Sequence, residues 1–224
     1  MSNPTDWRIL MVGDAAVTVE YAPRIDPLIS RRVVALADRV RAARHAGVRD
    51  VVPGYHTVTV YFEPTRTDLA LLWTSLEEEA ELPGAGEPPS REIIVPVVYG
   101  GADGPDLGEV ASFSGCTSDE VVRLHTSVRY RVYMVGFLAG FPYMGTIDSR
   151  IAMPRRETPR LSVPAGSVGI AGSQTGIYPM TAPGGWRLIG RTAVGRFEPE
   201  RDPPSFCQPG DCVRFRAVER VDPS

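Results

Sequence analysis

Residues 81–91 read ELPGAGEPPSR, and no single helix or strand can run through them. Proline removes a backbone donor and fixes φ, glycine loosens the chain, and no apolar period survives the stretch. The patterned sequence on either side is therefore expected to fold as two domains, residues 1–84 and 91–224, joined by a linker at 85–90. Each piece is long enough to bury a core of its own.

The first piece opens with β-type runs from Trp7 to Met11 and from Ala16 to Tyr21, around a turn at Gly13-Asp14. From Asp26 to Ala46, residues Leu28, Val33, Leu36, Ala37 and Val40 recur at helical spacing, and Gly47 closes the helix. Thr57 to Phe62 alternates as a strand, and Thr67 to Ala80 carries the stripe of a second helix. This pattern predicts a small α+β domain with its helices on one face of an antiparallel sheet. The second piece begins with β-rich Glu92 to Tyr99 and a short helix over Asp106 to Ser112. Thr117 and Glu120 form a capping box for a helix running to about Ser127. Short β-type runs follow at 129–137, 162–171, 186–194 and 211–216, cut by glycine and proline, as in a mainly-β barrel or sandwich.

Composition removes several kinds of chemistry. All 24 basic side chains are arginine. Without lysine there is no Walker A motif, no Schiff base and no biotin attachment. A net charge of −3 gives no reason to expect nucleic acid as a partner. No apolar run approaches the roughly 20 residues of a membrane span, and Met1 to Trp7 is polar, so a cytoplasmic location is expected. Cys207 and Cys212 have no second pair to complete a zinc site, and His45, His56 and His125 lie far apart, so no metal site is expected.

Residues 136–192 carry the chemistry, if any part does. Glycine and proline there fix loop shapes and let a ligand or another chain approach the backbone, although a compact barrel needs tight turns in any case. Arg150, Arg155, Arg156 and Arg160 crowd one loop, with Pro154 and Pro159 stiffening it; guanidinium groups so held can grip a carboxylate or phosphate bidentately. The plainer alternative is a solvated basic loop. Arg155 and Arg160 are the arginines expected to line a ligand cleft or a partner interface. Gln174, Thr175 and Tyr178 are candidate substrate contacts, able to hydrogen-bond an amide, or else turn caps within the barrel. His125 is a candidate base, though a lone helical histidine is more often structural. Phe137, Phe141, Tyr143 and Trp186 exceed what a small barrel hides easily and are expected to face a partner in part.

At GDAAVTVEY (13–21), GVRDVVPGYHTVTVYFEP (47–64), RYRVYMVGFLAGFPYMG (129–145), PRRETPR (154–160), VPAGSVGIAGSQTGIYP (163–179), PGGWRLIGRT (183–192) and PGDCVRF (209–215), the chain resembles the PxpB/KipI family, also called allophanate hydrolase subunit 1. It departs from the family at Ala139, usually proline, and mildly at Cys212. The resemblance implies the family's small α+β N-terminal domain and a cyclophilin-like antiparallel β-barrel. It further implies a subunit of an ATP-dependent enzyme that opens 5-oxoproline to glutamate. The implied partners are a PxpC/KipA-type subunit (allophanate hydrolase subunit 2) and a PxpA-type subunit of the LamB/YcsF kind. ATP would be used by the complex without a P-loop in this chain. Relatives suggest two other roles: a urea amidolyase subunit, and an inhibitor of a sensor histidine kinase.

Overall fold

The structure is a computed structural model that describes residues 6–84 and 91–219. The expected linker at 85–90 lies outside the described residues. The chain divides into two compact units, Met1–Pro89 and Ser90–Ser224.

The first unit runs β1 (Trp7–Met11), β2 (Ala16–Tyr21), α1 (Pro27–Ala43), β3 (Val48–Pro53), β4 (Thr57–Phe62) and α2 (Leu69–Glu81). Its sheet is antiparallel in the order β1-β2-β4-β3. Alternation turns Val17, Val19 and Tyr21 of β2 and Val58, Val60 and Phe62 of β4 to one face, where Val33, Leu36 and Val40 of α1 and Leu72 and Leu76 of α2 cover them. The Asp26 and Asp68 carboxylates accept from the Leu28 and Leu71 amides at 2.8 and 3.0 Å, so each helix starts on an acidic cap. Helix α1 stops short of Ala46 because Arg44 turns into the left-handed region, φ 49°, and donates its N–H back to the Arg41 carbonyl. The sequence pattern does not mark β3 as a strand. A bulge between Val48 and Asp50 breaks its alternation, and its place at the sheet edge tolerates Pro53.

The second unit runs β5 (Glu92–Tyr99), α3 (Leu107–Ser114), α4 (Ser118–Thr126), β6 (Arg129–Val135), β7 (Pro142–Gly145), a 3₁₀ turn (Ser149–Ile151), β8 (Arg160–Val163), β9 (Ser167–Ala171), β10 (Gln174–Ile177), β11 (Ala182–Gly184), β12 (Arg187–Arg191) and β13 (Cys212–Ala217). Seven strands close a barrel in the order β10-β7-β6-β13-β5-β12-β9, with β9 pairing β10. The barrel is mixed, where the family resemblance implied an antiparallel one. β13 inserts between β5 and β6, which run in opposite directions, so it must be parallel to one of them. It is parallel to β5, from Cys212↔Glu92 to Ala217↔Val97. Val95, Val97, Tyr130, Val132, Ile170, Ile177, Ile189 and Phe215 fill the interior, joined by Val110 of α3 and Val121 and Leu124 of α4. The Thr117 hydroxyl caps α4 by accepting from the Glu120 amide at 3.2 Å, as the capping box predicts.

One expected strand is two. The run over 162–171 breaks at Pro164–Gly166, where Gly166 sits at φ 80°. β8 then leaves the barrel and pairs with β11 in a separate two-stranded sheet. Among the described residues, no helix is long and apolar enough to cross a membrane.

Ile170 is fully buried in the barrel core. Ile170→Ala should cost about 2–5 kcal/mol of stability, measured as a shift in urea midpoint at unchanged m value.

Candidate functional site

The site grows from a bare strip in the barrel wall. Gly169 of β9 and Gly176 of β10 stand opposite each other in register. A Cβ on Gly176 would come within 2.8 Å of Phe141 Cζ, and one on Gly169 within 3.1 Å of Trp186 Cβ. Their absence lets Phe141 and Trp186 lie on the outer wall, ring centroids 5.3 Å apart and nearly perpendicular. Tyr143 and Tyr178 pack on Phe141 at 4.9 and 5.2 Å. Gly184 is required beside them, because the Tyr178 hydroxyl occupies the space its Cβ would take. Phe137 is held at φ 70°, edge-on to Phe141 at 5.9 Å, with its side chain largely in solvent at 67% exposure. Phe141 and Trp186 are buried under the same cluster, so of the expected interface aromatics Phe137 presents the open face.

The arginine loop lies against this wall and its members are not equivalent. Arg150 is satisfied by Asp148, with hydrogen bonds of 2.9 and 3.0 Å, and holds that carboxyl down to about 2. Arg160 donates from Nη2 to Asp106 Oδ1 at 2.6 Å, and Arg156 reaches the same oxygen from Nη1 at 3.5 Å. Asp106 is only 3% exposed, and its other oxygen accepts from the Leu188 amide at 2.7 Å. Arg160 Nη1 is buried with no hydrogen-bond partner among the described residues. Arg155 has no ion pair among the described residues; its guanidinium sits over the Trp186 ring at 5.8 Å. Its charge works against burial, which pushes the Tyr143 and Tyr178 hydroxyls up from their ordinary values; a Trp186 backbone hydrogen bond also restrains Tyr178.

His125 lies on the other side of the wall. It is 0% exposed and stacks on Phe215 at 4.5 Å. Thr175 donates its hydroxyl to the Gly169 carbonyl at 3.0 Å, so it accepts from His125 Nε2–H at 2.9 Å. His125 Nδ1 is then left to accept from the Tyr99 hydroxyl at 2.7 Å. Burial lowers the imidazole to about 3, so the ring stays neutral with both nitrogens engaged.

The sequence candidates therefore separate. Arg155, Tyr178, Phe137, Phe141, Tyr143 and Trp186 come together on the outer wall, with Arg160 clamped beside them. His125 and Thr175 meet inside the barrel. Gln174 sits at the mouth of β10, paired with Gly145 and Ala171. Sequence reasoning misses Asp106, which reads as a helix start yet makes no side-chain cap bond. Its partner Arg160 is 54 residues away, and nothing local signals the pairing. Among the described residues no group of three or more His, Cys, Asp or Glu is placed to hold a metal ion.

The family model of the carboxyltransferase domain, subdomain C and D, matches residues 7–207. A 5-oxoprolinase subunit of Escherichia coli O157:H7 is 44% identical over 214 residues, covering 93% of this chain and 94% of that protein. The corresponding 5-oxoprolinase subunit of Bacillus subtilis strain 168 is 36% identical, covering 96% and 95%. Among solved structures, that of TTHA0988 superposes with a TM-score of 0.83 at 36% identity; it matches 92% of this chain, which spans 40% of that longer one. The Kluyveromyces lactis urea carboxylase superposes at 0.74 with 20% identity, covering 95% of this chain and 22% of the enzyme, a likeness of fold alone.

A histidine held neutral in the folded state takes up a proton only on unfolding once the pH falls below its ordinary value. Stability from His125 is thus complete above about pH 6.5 and falls as pH drops toward 3. From pH 7 to pH 5 the wild type should lose about 2 kcal/mol through this group. His125→Gln should be less stable at pH 7 but lack that part of the pH slope, read from urea melts at both pH values.

Proposed function

The chain belongs to the carboxyltransferase family, subdomain C and D, within its PxpB/KipI branch, and we propose that it works as one subunit of a multi-subunit 5-oxoprolinase. That enzyme would open 5-oxoproline to glutamate with ATP hydrolysis, in the cytoplasm, together with a PxpC/KipA-type and a PxpA-type subunit. The observation that carries the reading is Arg155, an arginine without an acid partner among the described residues, standing over an aromatic wall beside two tyrosines.

A lactam amide is inert, and 5-oxoproline carries one carboxylate to hold it by. A guanidinium with open donors grips such a group bidentately, and the buried rings of Trp186 and Tyr178 back the arginine from beneath. Arg155 is accordingly assigned to the substrate carboxylate, with Gln174 at its margin and Tyr178 buried behind it. Arg160 is assigned to holding the loop. His125 and Thr175 are assigned to the barrel core, since the histidine has no free nitrogen with which to move a proton. Phe137 is assigned to the partner contact.

ATP fits this chain poorly. A triphosphate needs a glycine-rich cradle with a lysine, or several free cations, and the arginine loop offers one open guanidinium beside two committed to Asp106. Nucleotide is therefore assigned to a partner subunit. The urea amidolyase reading has the support of a likeness at low identity, and nothing in the arginine site favours it over a lactam acid.

Co-purification with both partner subunits, followed by assay of glutamate release from 5-oxoproline with ATP, tests the reading. The complex should turn over and the isolated chain should not. Arg155→Ala should cut kcat/KM of the complex by about 10²-fold, and Arg155→Lys should recover little because lysine cannot make the forked contact. A complex that is inactive toward 5-oxoproline, or that is indifferent to Arg155, contradicts it.

A further inference from the structure

Hydrogen bonds to the β11–β12 link and to β12 hold the segment that carries Arg155, and the strand side is itself anchored. The Arg156 amide donates to the Gly185 carbonyl at 2.8 Å, Arg187 Nε donates to the Pro154 carbonyl at 3.2 Å, and Arg187 also pairs with Glu109 at 2.7 Å. A further tie is different in kind. A single buried carboxylate, Asp106, receives Arg156 and Arg160 on one oxygen and the Leu188 amide on the other, while its own amide donates to the Leu188 carbonyl at 2.9 Å. Leu188 lies two residues beyond Trp186, the ring beneath Arg155. Asp106 thus touches both halves of the site, the loop and the strand under it.

We propose that Asp106 is the positioning residue of this site: its carboxylate clamps Arg156 and Arg160 to strand β12 and so holds Arg155 over Trp186 with its donors open to an anion. The charge count agrees. Three arginines, 155, 156 and 160, share one buried acid, Asp106, and the exposed Glu157 between them makes no ion pair among the described residues, so the clamp leaves Arg155 uncompensated. A carboxylate placed closer to Arg155 would have quenched it. Asp106 touches no substrate in this arrangement and acts through Arg155. Its identity as part of a substrate site rests on the proposed function; its role in holding the loop does not.

The test has two arms. In a chain carrying Trp7→Phe and Trp73→Phe, Trp186 is the sole indole and reports on the loop. Asp106→Asn should shift its emission to the red and raise its quenching by acrylamide, with far-ultraviolet circular dichroism unchanged. Should Asp106→Asn fail to fold, Arg156→Gln, which loosens one arm of the same clamp, should give a smaller change of the same sign. Unchanged Trp186 emission and quenching in a folded Asp106→Asn, or in Arg156→Gln if that is the variant that folds, overturns the proposal. In the reconstituted complex, Asp106→Asn should lower kcat/KM for 5-oxoproline about tenfold or more. It should lower it no further when Arg155→Ala is already present, because the two act as one unit. Losses that multiply overturn the positioning role. If Trp186 responds while the complex proves inactive toward 5-oxoproline, the clamp stands and the 5-oxoprolinase reading falls.

Discussion

The parallel seam between β5 and β13 is the constraint on which the second unit rests. Its six register pairs run from Cys212↔Glu92 to Ala217↔Val97 and draw the two sequence ends of the unit into adjacent strands. With β13 seated, β5 offers its other edge to β12, through Gly190↔Tyr99 and Arg191↔Val98. The approach is close enough that a Cβ on Gly190 would come within 2.6 Å of Val97 and 2.8 Å of the Val98 carbonyl. The chain leaving β5 then folds back on β12: Gly100 and Asp106 donate to the Ile189 and Leu188 carbonyls at 3.1 and 2.9 Å. Asp106 arrives at its buried place as a result of strand pairing begun at the far end of the sequence.

From there the charge arrangement follows. A carboxylate buried beside two guanidinium groups contributes little net stability once the desolvation of all three is counted, and its better-attested use is to fix one arrangement over others. Here it fixes which arginine is free. Inside the wall the polar chain Tyr99–His125–Thr175–Gly169 is closed, each hydrogen donated and each nitrogen used. Outside it, Arg155 is left open over Trp186. The same two strands, β9 and β10, present a satisfied polar network to the core and a bare glycine strip to the rings.

Much of this is legible in the sequence because it depends on local patterns. Alternation locates β2 and β4, helical spacing locates α1 and α2, and the Thr117–Glu120 box locates α4. The density of glycine and proline over 136–192 coincides with the loops and short strands that form the aromatic wall. What the sequence hides is set by distant partners. Arg155 and Arg160 look alike in PRRETPR and differ only because Asp106, far back in the chain, takes one of them. His125 and Thr175 read as separate polar candidates, and their direct hydrogen bond follows from barrel closure. The β3 strand is obscured by its own bulge, and the parallel β5–β13 pair has no local signature.

The proposed function makes the arginine and aromatic wall of the second unit a composite site completed by a partner subunit. Hydrogen-exchange mapping of the co-purified complex against the isolated chain tests it most directly. A composite site should add protection over residues 136–145, 154–160 and 178–187 when the partner binds. Protection confined to residues 6–84, with those three segments exchanging as in the isolated chain, would contradict it.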